Sequence, residues 1–298
     1  MNKSVGIDIG GTSVKAVVFT PGVEWNAAFA AEHSHDGTAT GVSDAIRAAL
    51  SKLEPMSHTE VPVGVCLPGL FDHARECLVR AVNLPDLVGV PMAEMLRAAG
   101  VRTSGRPGIF TDALAAGIDD ASDRNLSGRL LAISLGTGVG AIVLDGLSPL
   151  KVSPPDAPLS SGHIGQFDVS SGEPDAPIGP DGGRGSLEAY IGAPALRSRL
   201  CTKPEDDLRA AVRSLSIDDP ALRALVRALR VAHAIYRPDH ISLLGGIGLG
   251  LTHLAQRIHA AVGDRLTNLA RPDWTLVHGR HAFHAARGAA RLALRIPR

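Results

Sequence analysis

Surplus charge of either sign is missing from this chain, where 30 Lys and Arg offset 30 Asp and Glu over 298 residues. Nucleic-acid binders carry a basic stripe, so no nucleic-acid partner is expected. Cysteine is scarce too. Cys66, Cys77 and Cys201 lie far apart, which argues against a disulfide framework or a zinc knuckle and fits a reducing, cytoplasmic setting. Aromatic residues make up only 3%, too few for an aromatic-rich β sandwich. No apolar run approaches the ~20 residues of a membrane span. Met1-Asn2-Lys3-Ser4 leads straight into a strand-like run, so neither a signal peptide nor a membrane is expected. What is plentiful is glycine (33) and proline (20), in a chain that is 45% hydrophobic. That is the composition of an α/β protein with many tight turns and a sizeable core.

Apolar periodicity lays out the elements. Val5–Ile9 and Val14–Phe19 read as strands around Gly10-Gly11-Thr12-Ser13, a β-hairpin. Ser43-Asp44 reads as the opening of a helix with Ile46, Ala49, Leu50 and Leu53 on one face. A strand at Val61–Leu67 ends at Pro68-Gly69, and Pro91 begins a helix with Met92 and Met95 in the core. Gly108–Phe110 is a short strand running into a helix from Ala113. Near Arg129 the layout restarts. Leu130–Leu135 and Val139–Leu144 flank Gly136-Thr137-Gly138, a second strand, glycine turn and strand that reads as an internal duplication. Residues 151–185 should be mostly loop. Helices are expected at Ser186–Leu200, Pro220–Tyr236, Leu251–Leu269 and Phe283–Leu294, with a buried strand Ile241–Leu244 before Gly245-Gly246.

Four motifs carry chemistry. In Asp8-Ile9-Gly10-Gly11-Thr12, glycines let backbone N–H groups approach phosphate oxygens, and Asp8 suits the accompanying Mg²⁺ through a water. An ordinary glycine hairpin with a surface aspartate reads equally well on these residues alone. Leu135-Gly136-Thr137-Gly138-Val139-Gly140 repeats the pattern. Its nicotinamide-binding rival needs a helix directly after the glycines, and Gly140–Leu144 continues as strand instead. Gly245-Gly246 after a buried strand either lets a flat ligand lie against backbone or makes a tight turn. Asp112, at a strand end entering a helix, is either an N-cap or a general base.

Taken in order, Asp-x-Gly-Gly-Thr, Pro-Gly, Asn-Leu, Asp-Ala-x-Ala-Ala, Gly-Thr-Gly-x-Gly, Gly-x-x-Gly-x-Leu-Glu and Gly-Gly resemble the ROK family of repressors, open reading frames and kinases. The resemblance runs from Val5 to Gly288-Ala-Ala290 and starts at the first hairpin, without the DNA-binding arm of the repressors. It implies an α/β, two-domain actin-like ATPase (ribonuclease H-like) fold with an interdomain cleft. The domains would cover 1–115, joined by the C-terminal helix 283–298, and 116–282. It implies ATP and Mg²⁺ as cofactors, a sugar-like small-molecule substrate and a homodimer. Asp112 would be the catalytic base. Gly10, Gly11, Thr12, Gly136, Thr137 and Gly138 would bind phosphates, and Gly245 and Gly246 the adenosine. Gly69, Asn83, Thr111, His163, Gln166 and Glu188 would line the substrate pocket.

The departures from the family pattern are specific. Thr111 replaces an Asn, His163 a sugar-binding Glu, and Gln166 a His that often also binds zinc. The family's three zinc cysteines give way to Gly179, Asp181 and Ser186, so no zinc site is expected and the loop Asp168–Asp181 must be held otherwise. His33/His35 and His278/His281/His284 read as solvated side chains rather than ligand sets, and Arg287, Arg291, Arg295 and Arg298 as a solvated face. Lys15 lies near the first hairpin on an unassigned face. The function implied is an ATP-dependent carbohydrate kinase. A non-catalytic sugar or nucleotide sensor on the same fold is the rival, and a nucleotide hydrolase acting as a mechanical switch fits less well.

Overall fold

The computed structural model describes residues 3–23, 25, 27–32, 38–53, 60–81, 84–152, 162–180 and 182–296. The chain divides into two compact units, Met1–Asp119 with Phe283–Arg298, and Asp120–Ala282.

The first unit opens with β1 (Ser4–Ile9), β2 (Ser13–Phe19) and β3 (Ala27–Glu32). Then come α1 (Ala39–Leu50), β4 (Val63–Cys66), the small ribbon β5 (Leu70–Asp72) and β6 (Cys77–Arg80), α2 (Met92–Ala98), β7 (Gly108–Phe110) and α3 (Asp112–Arg124). Its sheet runs β3-β2-β1-β4-β7. The β1–β2 and β2–β3 pairs are antiparallel, whereas β1, β4 and β7 are parallel. Every residue of β1 is buried, as expected of a central strand covered on both faces, and this is why its sequence does not alternate. Helix α1 starts earlier than Ser43. Thr38 is its cap, accepting from the Gly41 N–H at 3.1 Å, and Ser43 instead bonds back to the Ala39 carbonyl at 2.8 Å inside the helix.

The second unit repeats the plan with β8 (Arg129–Leu135), β9 (Val139–Asp145) and β10 (Ser148–Pro149). After them come α4 (Leu187–Ile191), α5 (Ala193–Leu200), α6 (Leu208–Arg213), α7 (Pro220–Tyr236), β11 (His240–Leu244), α8 (Gly245–Gly250), α9 (Ala255–Gly263) and β12 (Thr275–His278). The order β10-β9-β8-β11-β12, with β8, β11 and β12 parallel, matches that of the first sheet strand for strand. The single helix expected over Ser186–Leu200 is broken at Gly192, whose ψ of 149° is extended. There Ala193 N–H bonds to the Gly136 carbonyl at 2.9 Å, so the break serves the second glycine turn. The helix expected over Leu251–Leu269 ends sooner, at Gly263.

Helix α10 (His284–Ala293) returns to complete the first unit. It lies so close to the sheet that a Cβ on Gly6 would sit 1.7 Å from the Ala286 carbonyl oxygen, and one on Gly64 2.1 Å from that of Ala289. The buried Ser4 hydroxyl bonds to the Ala290 carbonyl at 2.8 Å.

Candidate active site

In the first unit the parallel register aligns Asp8 with Cys66 and Cys66 with Phe110 at the carboxyl ends of β1, β4 and β7. Asp112 follows two residues later as the first residue of α3. Ligands of open α/β sheets bind at this edge of the parallel strands. Burial pushes the Cys66 thiol well above its ordinary range, and the carboxylates of Asp8 and Asp112 push it further while Lys15 opposes them. Both carboxylates therefore bear on one spot. Asp8 is mostly buried, and its Oδ2 pairs with Lys15 Nζ at 3.1 Å. Lys15 thus lies on the site face.

The first turn joins β1 and β2 through Gly10, Gly11 and the exposed Thr12, with Gly10 N–H bonded to the Ser13 carbonyl at 2.9 Å. Thr111, not Asp112, caps α3: its hydroxyl accepts from Leu114 N–H at 3.3 Å. Asp112 accepts from Ala113 N–H at 2.8 Å and is half-buried. Gly69 has φ 100°, and a Cβ there would lie 2.2 Å from the Arg80 carbonyl oxygen, so local packing alone accounts for the glycine. Asn83 lies outside the described residues.

In the second unit the residues gather around Val139. The turn Gly136-Thr137-Gly138 precedes it, with Gly136 N–H bonded to the Gly138 carbonyl at 3.0 Å. Glu188 Oε2 accepts from Val139 N–H at 2.8 Å, and a Cβ on Gly138 would come within 2.9 Å of the same oxygen. A Cβ on Gly165 would sit 2.6 Å from the Val139 carbonyl oxygen, which brings the 3-10 turn Ile164–Gln166 against the same strand. His163 and Gln166 at its two ends are exposed. Gly245, with φ 78°, lies against the Leu135 backbone and opens α8. At Gly136 and Gly246 an added Cβ would meet nothing within 4 Å. No protein packing demands a glycine at either, which fits a ligand that needs the backbone bare.

The loop ahead of Glu188 is held by hydrogen bonds. Asp168 bridges to Ser186, and Ile178 to Arg184. Tyr190 donates to Glu173 at 2.8 Å, and Arg184 Nη1 to the Ala176 carbonyl at 3.0 Å. Ser186 caps α4, and Gly179 bonds to Gly183, whereas Asp181 lies outside the described residues.

Several surface assignments are corrected. His278 and His284 are buried, as is Arg287. The fully buried Asp119 carboxylate draws in the last two, with His284 Nδ1 at 2.8 Å, Arg291 Nε at 2.7 Å and Arg287 Nε at 3.3 Å, whereas His278 bonds through Nδ1 to the Gly248 carbonyl at 2.8 Å. Two guanidiniums on one carboxylate leave no charge deficit for a metal cation to fill. A buried aspartate on α3 facing arginines four residues apart on another helix was the sequence signal, hidden because the partners lie 165 or more positions away. His33 and His35 lie outside the described residues, as does Arg298.

Two sheets of one strand order, each with a glycine turn at its β-hairpin, define the actin-like two-domain class. The chain belongs to the ROK family, whose family model matches residues 4–296. No curated protein matches it in sequence. A ROK family glucokinase from Streptomyces griseus, in complex with glucose and AMPPNP, is similar with TM-score 0.77 at 20% identity, covering 99% of this chain and 100% of that one. A ROK hexokinase from Thermus thermophilus is similar with TM-score 0.67 at 21% identity, covering 98% and 99%. So is a ROK family transcriptional regulator, homolog of the E. coli MLC protein, with TM-score 0.70 at 16% identity, covering 98% of this chain and 78% of that one. At these identities the likeness concerns the fold alone. No helix among the described residues is long and apolar enough to cross a membrane.

Proposed function

We propose that the chain is an ATP-dependent phosphotransferase acting on a hydroxyl of a sugar or sugar-like small molecule. The observation that carries this reading is the register of Asp8, Cys66 and Phe110, with Asp112 two residues on, beside the first glycine turn. Phosphoryl transfer asks the protein mostly for positioning and charge neutralisation. Gly10, Gly11 and Thr12 in the first unit, and Gly136, Thr137 and Gly138 in the second, offer N–H and hydroxyl donors to phosphate oxygens. Gly245 and Gly246 receive the adenosine. Asp112 takes the proton of the attacking hydroxyl as its oxygen bonds to the γ-phosphorus and the bond to the leaving ADP oxygen breaks. Gly69, Asn83, Thr111, His163 and Gln166 read the substrate. Glu188 joins them and ties that recognition to the second turn through Val139 N–H. Asp8, anchored by Lys15, is a hard oxygen donor of the kind Mg²⁺ accepts through a water, and the ion supplies counter-charge to the phosphates.

An ATP-consumption assay over hexoses, N-acetylhexosamines and polyols, with and without Mg²⁺, tests the reading. Asp112→Asn should lower kcat by about 100-fold or more with an unchanged Tm. Near-wild-type turnover in that variant removes Asp112 from the mechanism. A second reading, a non-catalytic sugar or nucleotide sensor, is favoured by the altered His163 and Gln166 and by the regulator among the similar structures. It predicts calorimetric binding of sugar or nucleotide with no turnover across the whole panel.

A further inference from the structure

The second unit has a cavity of about 490 Å³ lined by Arg129, Asp145, Gly146, Arg237, Asp239 and Arg271, among others. Arg129 begins β8, Asp145 ends β9, and Asp239 immediately precedes β11. The cavity is thus at the edge of the sheet opposite the glycine turn. The six residue steps of β8 from Arg129 to Leu135 separate the two by about 20 Å at ~3.3 Å per residue.

Both carboxylates are already engaged. Arg129 grips Asp145 through Nε at 2.7 Å and Nη2 at 3.1 Å. Asp239 accepts from Arg129 N–H at 2.7 Å and faces Arg271 Nη1 at 2.6 Å. Three guanidiniums against two carboxylates leave one positive charge in excess. Of the three guanidiniums lining the cavity, that of Arg237 has no protein partner.

Arg237 also stands where glycine is the usual residue. It ends α7 with φ 45° and ψ 57°, a left-handed conformation in which a Cβ is strained. An arginine there trades backbone ease for a long cationic side chain at the cavity wall. At Gly146 an added Cβ would meet nothing within 4 Å, so that wall is open.

We infer that this cavity binds a small phosphomonoester or inorganic phosphate, with Arg237 as the primary anchor and Arg271 beside it. A planar guanidinium offers paired N–H donors that match phosphate oxygens, and the volume suits a ligand of sugar-phosphate size. The site is separate from the phosphoryl-transfer machinery proposed above and does not depend on it.

Inorganic phosphate and glucose 6-phosphate are titrated calorimetrically against potassium chloride of matched ionic strength. Mg²⁺ and AMPPNP are present in every arm, so the glycine turns meet the same conditions throughout. Wild type should bind both anions saturably. Arg237→Gly, which removes the guanidinium while easing the backbone, should keep its Tm without phosphate and lose about tenfold or more in affinity for either anion. Asp112→Asn should bind them like wild type. Equal affinity in wild type and Arg237→Gly overturns the proposal, as does a wild-type response no larger than that to chloride. A response to phosphate but not to glucose 6-phosphate confines the site to the free anion and overturns the sugar-phosphate assignment.

Discussion

An imidazole stands at position 163 where the family resemblance places a carboxylate, and the structure leaves it exposed at the start of the 3-10 turn against β9. A carboxylate only accepts hydrogen bonds, whereas a neutral imidazole donates one and accepts one. The pocket should therefore favour a sugar substituent carrying an acceptor, such as an acetamido group, over the bare hydroxyls a glutamate reads. His163→Glu should shift the ratio of kcat/KM values toward plain hexoses by about tenfold, the value of one unmatched polar group. An unchanged preference order in the variant removes His163 from recognition. Another histidine governs the response to acid. His233, on α7, is buried, its two ring nitrogens have no partner, and its ring meets Trp274 edge-on at 4.6 Å. Burial pushes its pKa from 6.5 down to about 4, and burial moves His278 in the same direction. The unfolded chain binds that proton near pH 6.5 and the native state only near 4, so stability is full above the upper value and falls as pH drops through this window. The loss at His233 is at most about 3 kcal/mol. Thermal melts from pH 7 to 4 should show a shallower decline for His233→Leu than for wild type, and parallel curves would clear His233 of the effect.

At the scale of elements, glycines sort by what surrounds them. On β1 and β4 they admit α10, while Gly136 before β9 and Gly246 in α8 leave backbone open. Gly64→Ala must displace the Ala289 carbonyl 2.1 Å away and should cost about 2–3 kcal/mol, read as a lower Tm or denaturant midpoint. Gly136→Ala meets nothing, so it should keep its Tm while weakening ATP binding. If Gly136→Ala melts early and still binds nucleotide normally, the sorting fails. Both hairpins were legible in the sequence, because glycine between two apolar runs signals a turn wherever it stands. The facing of Lys15 went unassigned, although the hairpin register carries it. Counting outward from the turn through Ile9 and Val14 sets Lys15 opposite Asp8. The start of α1 was not legible, because Ser43 looks like a cap and bonds instead within the helix. The break at Gly192 was hidden for another reason: its cause is a bond to Gly136, far away in sequence.

Across the whole molecule, the matching order of two five-stranded sheets bears out the duplication read from the two hairpins. The family was legible because its motifs are short and local. The arginines of α10 were misread because their partner, Asp119, belongs to a helix more than 160 positions earlier. Spacing along one helix cannot reveal a charge on another. The same separation makes the last helix structural rather than ornamental. A chain ending after Ala282 loses α10, and with it the cover over Gly6 and Gly64 and three of the groups around Asp119. Such a truncation should leave residues 120–282 resistant to limited proteolysis and the first unit readily cut. Equal resistance of both units would show that α10 is dispensable.

That topology also has a direction in time. A ribosome extrudes residues 4–119 before 120–282, yet the helix that caps them emerges only after both. The middle of the polypeptide, contiguous from 120 to 282, has all its parts in hand while the opening segment still waits. Birth order and completion order of the two units are therefore reversed: the earlier sheet to leave the exit tunnel is the later to close, and in the interval its strand edges and apolar face are what a nascent-chain chaperone would meet.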